Sequence, residues 1–354
     1  MDDRVKSLLV GPGITIRDAM RRLDDSAMRI ALVADDDGRL LGVLSDGDIR
    51  RWILAEHGLD ERVADAMNAS PVTVHEGAPL HDAEALMVAR KIDLVPVLDD
   101  EGVVVSVVRW TDLFEEAPVE REVLDLPVVI MAGGQGTRLA PFTSILPKPL
   151  MPVGDKSIVE HIMERFAAYG CREFVLSVNY KANLIKAYFA DVEPPYAIEF
   201  VDETQPLGTG GSLSLMPDLL DRTFFVTNCD VLVDADYADI VRFHRESGNV
   251  VTLVASMKHV TVPYGVCEIA EGGRLTAITE KPEFDYLVST GMYVIEPQAL
   301  ADVPHATFFH ITELIESYIR QGKRVGVYPV SEKSWLDIGQ LEQLREALAR
   351  FGAE

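Results

Sequence analysis

Cysteine is scarce in this sequence of 354 residues, which contains only Cys171, Cys229 and Cys267. These three are widely spaced and odd in number, which fits neither a disulfide framework nor a zinc site. The eight histidines likewise show no spacing typical of metal ligands. We therefore expect a protein of a reducing compartment, the cytoplasm.

Positive charge and long apolar runs are also lacking. The formal net charge is −24 at pH 7, so the summed field would repel nucleic acid and acidic membranes. The first residues, MDDRVKSLLVG, lack the apolar core of a secretory signal, and no apolar run reaches the length of about 18 residues that spans a bilayer. We expect neither a nucleic-acid nor a membrane partner. The apolar fraction of 48% excludes wholesale disorder, and the length allows two or three domains.

Residues 1–120 contain an internal repeat whose copies, at about 5–58 and 65–117, are offset by 64 positions. Each copy has the pattern of an amphipathic helix, a strand, an acidic-glycine turn and a second strand. The turn is DDDG at 35–38 in the first copy and DDEG at 99–102 in the second. A unit of this length buries its apolar face poorly alone, so we expect the two copies to pack against each other.

An acidic, proline-containing linker ends with residues 121–127. From 128 to 354 strands alternate with helical patterns, which favours a mostly parallel sheet with helices on both faces. We therefore predict a Rossmann-like α/β domain, with a mixed but mostly parallel sheet, behind an N-terminal α+β domain. Strand Val128–Met131 should lie near the centre, with the site at the carboxyl ends of the strands. The predicted helices include Leu213–Leu220 and Gln340–Phe351.

The stretch from Val128 to Leu150 reads VVIMAGGQGTRLAPFTSILPKPL and joins a buried strand to a glycine-rich turn. Its glycines allow backbone N–H groups to approach a ligand, and Arg138 and Lys148 follow. A dinucleotide fingerprint is not met, because Leu139 stands where the third glycine belongs, and a P-loop would need a closing Gly-Lys-Ser/Thr. An ordinary glycine-rich turn is the alternative. A buried strand, glycines and two cations suit a triphosphate.

The string AGGQGTRL followed by PKPL resembles the signature of sugar-1-phosphate nucleotidyltransferases. This resemblance implies that Arg138 and Lys148 are the catalytic cations, acting on the phosphates. It also implies a set of nucleotide-binding residues in the turn: Gly133, Gly134, Gly136 and Thr137.

Two carboxylates stand at the ends of apolar strands, Asp230 in TNCD and Asp337 in SWLDIG. Alone, each would be an ordinary turn acid. In the resembled family the matching pair holds Mg²⁺, which hard oxygen ligands suit. Cys229 stands where the family often has glycine.

A second glycine-rich loop, QPLGTGG, resembles the loop that lies beside the base and sugar in guanylyltransferase and heptose-type members. The nucleotide-binding residues implied here are Gln205, Pro206, Gly208 and Thr209. A plain helix-entry loop is the alternative. Three shorter strings, YGV, EKP and STG, match the sugar-phosphate side of the family. The residues implied there are Gly265, Glu280, Lys281 and Thr290.

The repeat resembles a pair of CBS domains over about residues 5–115. The segment GVLSDGDI fits the family's ligand motif, which implies that Ser45 meets a ligand phosphate and Asp48 accepts from ribose hydroxyls. In the second copy Arg109 replaces the hydroxyl residue, while Asp112 is retained. We expect AMP, ADP or ATP at one intact site. The alternative is a structural or dimerising module without a ligand.

Together these resemblances imply a CBS pair fused to a sugar-1-phosphate nucleotidyltransferase. The enzyme would use Mg²⁺ to convert GTP or another NTP and a sugar-1-phosphate to an NDP-sugar and pyrophosphate, for a surface polysaccharide or glycan. We also expect a homo-oligomer. The rival hypothesis is a catalytically silent sensor that binds nucleotide sugars and signals through the CBS pair. A silent relative should lose a cation or an acid, yet all four are present: Arg138, Lys148, Asp230 and Asp337.

Overall fold

The computed structural model describes residues 3–26, 29–90, 92–109, 122–339 and 343–345. The chain divides into two compact units, Met1–Glu120 and Arg121–Glu354. Within the described residues no helix has both the length and the apolarity needed to cross a bilayer.

The first unit consists of two similar halves. The helices and strands of the first half are α1 (Asp3–Leu8), β1 (Leu9–Val10), α2 (Ile16–Ser26), β2 (Ile30–Ala34), β3 (Leu40–Ser45) and α3 (Asp46–Leu54). Those of the second half are α4 (Val63–Ala66), β4 (Val74–His75), α5 (Leu80–Arg90), β5 (Leu94–Leu98) and β6 (Val104–Arg109). In each half a short parallel pair is followed by an antiparallel pair. A bulge interrupts the antiparallel pair after Val33 in one half and after Val97 in the other, at equivalent positions of the repeat.

The two halves are joined at their acidic-glycine turns. The Leu40 N–H donates to the Gly102 carbonyl at 3.0 Å, and the Val104 N–H donates to the Gly38 carbonyl at 3.1 Å. One buried cluster draws on both halves: Val5, Leu8, Leu32, Val43, Leu94 and Val104. The predicted packing of the two copies against each other is confirmed.

The second unit contains a seven-stranded sheet with helices and smaller sheets around it. Its strands are β7 (Val128–Met131), β8 (Pro152–Val153), β9 (Lys156–Ser157), β10 (Glu173–Val178), β11 (Ala197–Asp202), β12 (Phe224–Asn228), β13 (Val231–Val233), β14 (Val251–Thr261), β15 (Gly265–Ile269), β16 (Leu275–Glu280), β17 (Glu283–Ile295), β18 (Val325–Val330) and β19 (Trp335–Asp337). Its helices are α6 (Ile158–Ala167), α7 (Ala182–Val192), α8 (Tyr237–Glu246) and α9 (Ile311–Arg320).

The large sheet has the order β11-β10-β7-β12-β17-β14-β18. Its first four strands are parallel, and β17 runs antiparallel to both of its neighbours. The predicted mixed, mostly parallel α/β fold is confirmed, and β7 is an inner strand. Val128 and Ile130 pack into one core cluster and Val129 into another, because successive side chains of a strand point to opposite faces. Cover on both faces explains why β7 is apolar at every position.

One predicted helix of this unit is wrong. In place of a helix over Leu213–Leu220, the structure has a short 3₁₀ helix over Gly211–Leu215. Met216 then leaves helical geometry with φ −121°, since Pro217 disfavours the α conformation in the residue before it. The predicted helix Gln340–Phe351 falls mostly outside the described residues.

Candidate active site

A cleft of about 360 Å³ opens at the carboxyl ends of β7 and β12. Both glycine-rich loops contribute to its wall, which is the position expected for a ligand site in an α/β sheet. The sequence-predicted residues that line it are Gly133, Gly134, Gly136, Thr137, Arg138, Lys148, Pro206, Gly208, Thr209 and Asp230. Residues far apart in the sequence thus meet in one cavity.

The first glycine-rich turn packs directly against the stem of Lys148. Gly136 has a φ of +65°, and a Cβ there would lie 2.9 Å from Thr143 Cγ2 and 3.0 Å from Lys148 Cβ. Only glycine fits such a conformation and such an approach without strain. Arg138 is exposed on the 3₁₀ helix that follows, and the next residue, Leu139, is buried and anchors this helix.

The two predicted metal ligands lie side by side. Strands β13 and β19 are antiparallel partners, with Val231 opposite Asp337, and the Ile338 N–H donates to the Asp230 carbonyl at 2.8 Å. A Cβ built at Gly339 would lie 2.7 Å from Asp230 Oδ2 and 2.7 Å from Asp337 Oδ1. The two carboxylates therefore converge on the same point.

The electrostatics of this pair favour a bound cation. Burial, and then the neighbouring Asp230 carboxylate, raise the pKa of Asp337. The Lys148 ammonium contacts Asp230 and offsets part of the repulsion. The described residues contain no group of three or more His, Cys, Asp or Glu side chains placed to hold a metal ion. Two convergent carboxylates instead suit Mg²⁺, which keeps waters and substrate oxygens in its coordination shell.

Cys229, next to Asp230 in the sequence, has an unreactive thiol. Its side chain is buried, and burial raises the pKa of the thiol to about 12. The thiol therefore stays protonated at neutral pH in the absence of a metal and is not an activated nucleophile.

The second glycine-rich loop is held by the segment before α9. The N–H groups of Gly210 and Gly211 both donate to the Phe309 carbonyl at 3.0 Å, and the Phe309 N–H donates to the Leu207 carbonyl at 2.9 Å. Gln205 is exposed and does not line the cleft, because its amide donates to the Ala306 carbonyl at 3.3 Å. The predicted role of Gln205 in nucleotide binding stays a prediction.

Glu203 is a cleft residue that the sequence reasoning missed. Its side chain is only 8% exposed yet lines the cavity. Its carboxylate accepts from the Ser177 hydroxyl at 2.6 Å and from the Leu207 N–H at 3.0 Å. The sequence feature that could have identified Glu203 is its position, immediately after a strand and just before a glycine-rich loop.

The predicted sugar-phosphate residues fall into two places, and neither lines this cleft. Gly265 pairs with Glu280 in the β15–β16 hairpin, and Lys281 follows with a φ of +45°. Thr290 is buried in β17, where its hydroxyl donates to the Val254 carbonyl at 2.8 Å. The roles of these four residues in sugar binding stay predictions.

In the N-terminal unit the predicted ligand residues of the first repeat form a helix cap. The Ser45 hydroxyl donates to Asp48 Oδ2 at 2.6 Å, and the Asp48 N–H donates back to Ser45 Oγ at 3.2 Å at the start of α3. Arg51 contacts the same carboxylate. Arg109 ends β6 opposite Leu94, while Asp112 lies outside the described residues. Their ligand roles stay predictions.

Comparisons with known proteins agree with this division of the chain. The family model described as nucleotidyl transferase matches residues 127–353, and the CBS domain model matches residues 4–55 and 63–118. Mannose-1-phosphate guanyltransferase of Yarrowia lipolytica is 34% identical over 221 residues, which are 60% of this chain and 60% of that protein. The catalytic subunit beta of mannose-1-phosphate guanylyltransferase from Dictyostelium discoideum is 31% identical over 224 residues, 61% of each chain. This chain thus spans about 60% of the length of the curated relatives it matches.

A solved structure shares the fold of the second unit. HddC from Yersinia pseudotuberculosis superposes with a TM-score of 0.51 at 25% identity, over 64% of this chain and 99% of that one. The same protein complexed with GMP-PN superposes with a TM-score of 0.50, also at 25% identity and over the same shares of the two chains. The chain therefore belongs to the nucleotidyl transferase family and carries a pair of CBS domains ahead of the catalytic fold.

Proposed function

We propose that this protein is a sugar-1-phosphate guanylyltransferase, which forms an NDP-sugar and pyrophosphate from GTP and a sugar-1-phosphate. The observation that carries the proposal is a single cleft lined by two glycine-rich loops, two cations and Asp230, with the Asp337 carboxylate converging on Asp230 beside the cleft residue Gly339. The mannose-1-phosphate guanyltransferases among the relatives, and the GMP-PN complex of HddC, support the choice of a guanine nucleotide.

The proposed reaction is a direct nucleotidyl transfer, which the positive charges in the cleft would assist. A phosphate oxygen of the sugar-1-phosphate attacks the α-phosphorus of GTP and forms a new P–O bond. The bond from the α-phosphorus to the bridging oxygen breaks, and pyrophosphate leaves with the electron pair. Arg138 and Lys148 would stabilise the charge that develops on the phosphate oxygens, and the glycine-rich turn would orient the triphosphate with its N–H groups. Within the described residues the site offers no activated side-chain nucleophile, because the Cys229 thiol is buried and protonated.

Asp230 and Asp337 would hold Mg²⁺. When bound, the ion would neutralise the triphosphate so that a second anion can approach it. The convergence of the two carboxylates beside Gly339 supports this assignment. We also propose that an adenine nucleotide bound at the CBS pair regulates the enzyme.

The decisive experiment measures pyrophosphate release with the four common NTPs against a panel of sugar-1-phosphates. The expected result is turnover that depends on Mg²⁺ and is highest with GTP. The Lys148→Met variant serves as the inactive control, so that a contaminating activity is recognised. Tight binding of an NDP-sugar without turnover in any combination would instead support the silent-sensor hypothesis.

A further inference from the structure

The segment 141–147, which we call the cation loop, joins the 3₁₀ helix of Arg138 to Lys148. Apolar burial fixes this loop only weakly, because several of its large side chains reach the surface. The exposed apolar side chains are Phe142, Ile145 and Leu146. A cation that stabilises a transition state must nevertheless be held in a defined place. Contacts other than apolar burial must therefore fix the loop.

Two adjacent residues beyond β10 hold the main chain of the cation loop by three consecutive carbonyls. The Tyr180 hydroxyl donates to the Thr143 carbonyl at 3.2 Å. The Lys181 ammonium donates to the Ser144 carbonyl at 2.6 Å and to the Ile145 carbonyl at 2.7 Å. Hydrogen bonds from a charged donor are stronger than those between neutral groups, so the two bonds of Lys181 are the main ones.

The bonded carbonyls are closely connected to the side chain of Lys148. Two residues separate Ile145 from Lys148, and one of them is a proline, which restricts the backbone between them. The Thr143 hydroxyl donates to the Gly136 carbonyl at 3.0 Å. A Cβ at Gly136 would meet Thr143 at 2.9 Å and Lys148 at 3.0 Å, so these two side chains lie together over the turn. A shift of the cation loop would therefore displace Lys148.

The backbone of Lys181 has a conformation that is unusual for lysine. Its φ is +53° and its ψ is 33°, in the left-handed region, at the residue before α7. Side chains other than those of glycine, asparagine and aspartate rarely adopt this conformation, which persists where the surrounding structure requires it. Glycine would satisfy the backbone here but could not reach the cation loop. The side chain of Lys181 is thus the part that this position needs.

We infer that Lys181 is a positioning residue that holds Lys148 in place through the cation loop. This inference rests on the proposed transferase function, because it names what fixes one of the two proposed catalytic cations. Lys181 does not line the cleft, so it acts on the substrates only through the loop.

The main experiment removes the ammonium in Lys181→Gly, a change that the left-handed backbone accepts without strain. We expect kcat/KM to fall by about tenfold to a hundredfold, the effect of a displacement of about 1 Å at the reacting groups. Lys181→Arg keeps donors for both carbonyls and should stay within about threefold of wild type. Glu193→Gly is the matched control, because Glu193 is an exposed left-handed residue at the other end of α7.

A double-mutant cycle separates positioning of Lys148 from a general structural role. In the Lys148→Met background, Lys181→Gly should lower kcat/KM by less than about threefold further, because the side chain that it positions is already gone. An equal loss in both backgrounds would overturn the inference. So would a Lys181→Gly variant within about threefold of wild type, or a Lys181→Arg variant as weak as Lys181→Gly.

Cleavage by chymotrypsin tests the same inference without turnover. This protease cuts after aromatic residues, and Phe142 is exposed in the cation loop. The loop should be cut after Phe142 about tenfold faster in Lys181→Gly than in wild type or Glu193→Gly, with the site identified by mass spectrometry. Equal rates in the three proteins would refute the hold of Lys181 on the loop. Faster cleavage in Lys181→Gly, with a wild type that turns over no substrate pair, would refute the proposed function and support this hold.

Discussion

The ammonium group of Lys148 contacts the carboxylate of Asp230, 82 positions further along the chain. Lys148 follows the glycine-rich turn, and Asp230 follows the next parallel strand in the sheet, β12. The contact therefore links the proposed phosphate-binding cation to the proposed metal pair.

The first prediction concerns the two cations. Lys148→Met and Arg138→Ala should each lower kcat/KM by about 10²–10³, because each removes a preorganised charge from the developing transition state. Initial rates of pyrophosphate release measure this. Lys186→Met is the control, since Lys186 pairs with Asp202 outside the cleft. Turnover within about threefold of wild type in both cleft variants would remove this turn from the mechanism.

The second prediction concerns the metal. Asp230→Asn and Asp337→Asn should raise the Mg²⁺ concentration needed for half-maximal activity, because an amide keeps the shape of the side chain but lacks the charge. A Mg²⁺ titration of each variant measures this, beside Asp202→Asn as a carboxylate control outside the cleft. Full wild-type activity in excess EDTA would refute the metal requirement.

The third prediction concerns Gly339. A methyl group at this position would lie 2.7 Å from an oxygen of each acid, so Gly339→Ala must push the carboxylates apart. We expect kcat/KM to fall by about 10², the effect of a displacement of about 1 Å at a reacting centre. Gly13→Ala, where the new Cβ meets nothing within 4 Å, is the control. Equal activities in the two variants would show that the acids tolerate separation.

The fourth prediction concerns the CBS pair. Calorimetry with AMP, ADP and ATP should find about one strong site per chain, and Asp48→Asn should weaken it. Asp36→Ala, in an exposed turn, is the control. Any effect of the nucleotide on catalysis should stay within about 1–3 kcal/mol of coupling. If wild type binds none of the three more tightly than about millimolar, the repeat is a structural module.

The fifth prediction concerns His244, which is 1% exposed between Thr252 and Glu296. Burial lowers its pKa, although Glu296 acts in the opposite direction. The unfolded chain therefore binds the proton more readily, so the free energy of unfolding should decrease as the pH falls below about 6.5. Thermal melts of wild type against His244→Gln measure this, with the exposed His305→Gln as control. A pH dependence of the melting temperature that is identical in wild type and His244→Gln would contradict it.

The sequence could predict those site residues that a local sequence pattern identifies. It could not predict those that reach the site only through packing in the folded chain. Asp230 and Asp337 each ended an apolar stretch, which marked both as candidate ligands, whereas their pairing is made by β13 and β19, a two-stranded sheet separate from the large one. Glu203 was not, because an acid after a strand usually faces water, and only the assembled fold buries this one beside Gly133. From the sequence Gln205 was the preferred candidate for binding the nucleotide, because its amide can both donate and accept hydrogen bonds. In the structure this amide donates to the Ala306 carbonyl instead. The fold itself was predictable because its helices and strands alternate with clear periodicity, whereas the helix predicted after Gly211 failed at Pro217.

The reciprocal hydrogen bonds between the two acidic-glycine turns constrain how the repeat can evolve. The carbonyls of Gly38 and Gly102 each accept a hydrogen bond from the opposite copy, so the lengths of the two turns depend on each other. A residue inserted into one turn would misalign both bonds unless the other turn changed with it. The two copies can therefore differ at equivalent positions such as Ser45 and Arg109, the proposed ligand positions. The lengths of their two turns, in contrast, have to stay matched.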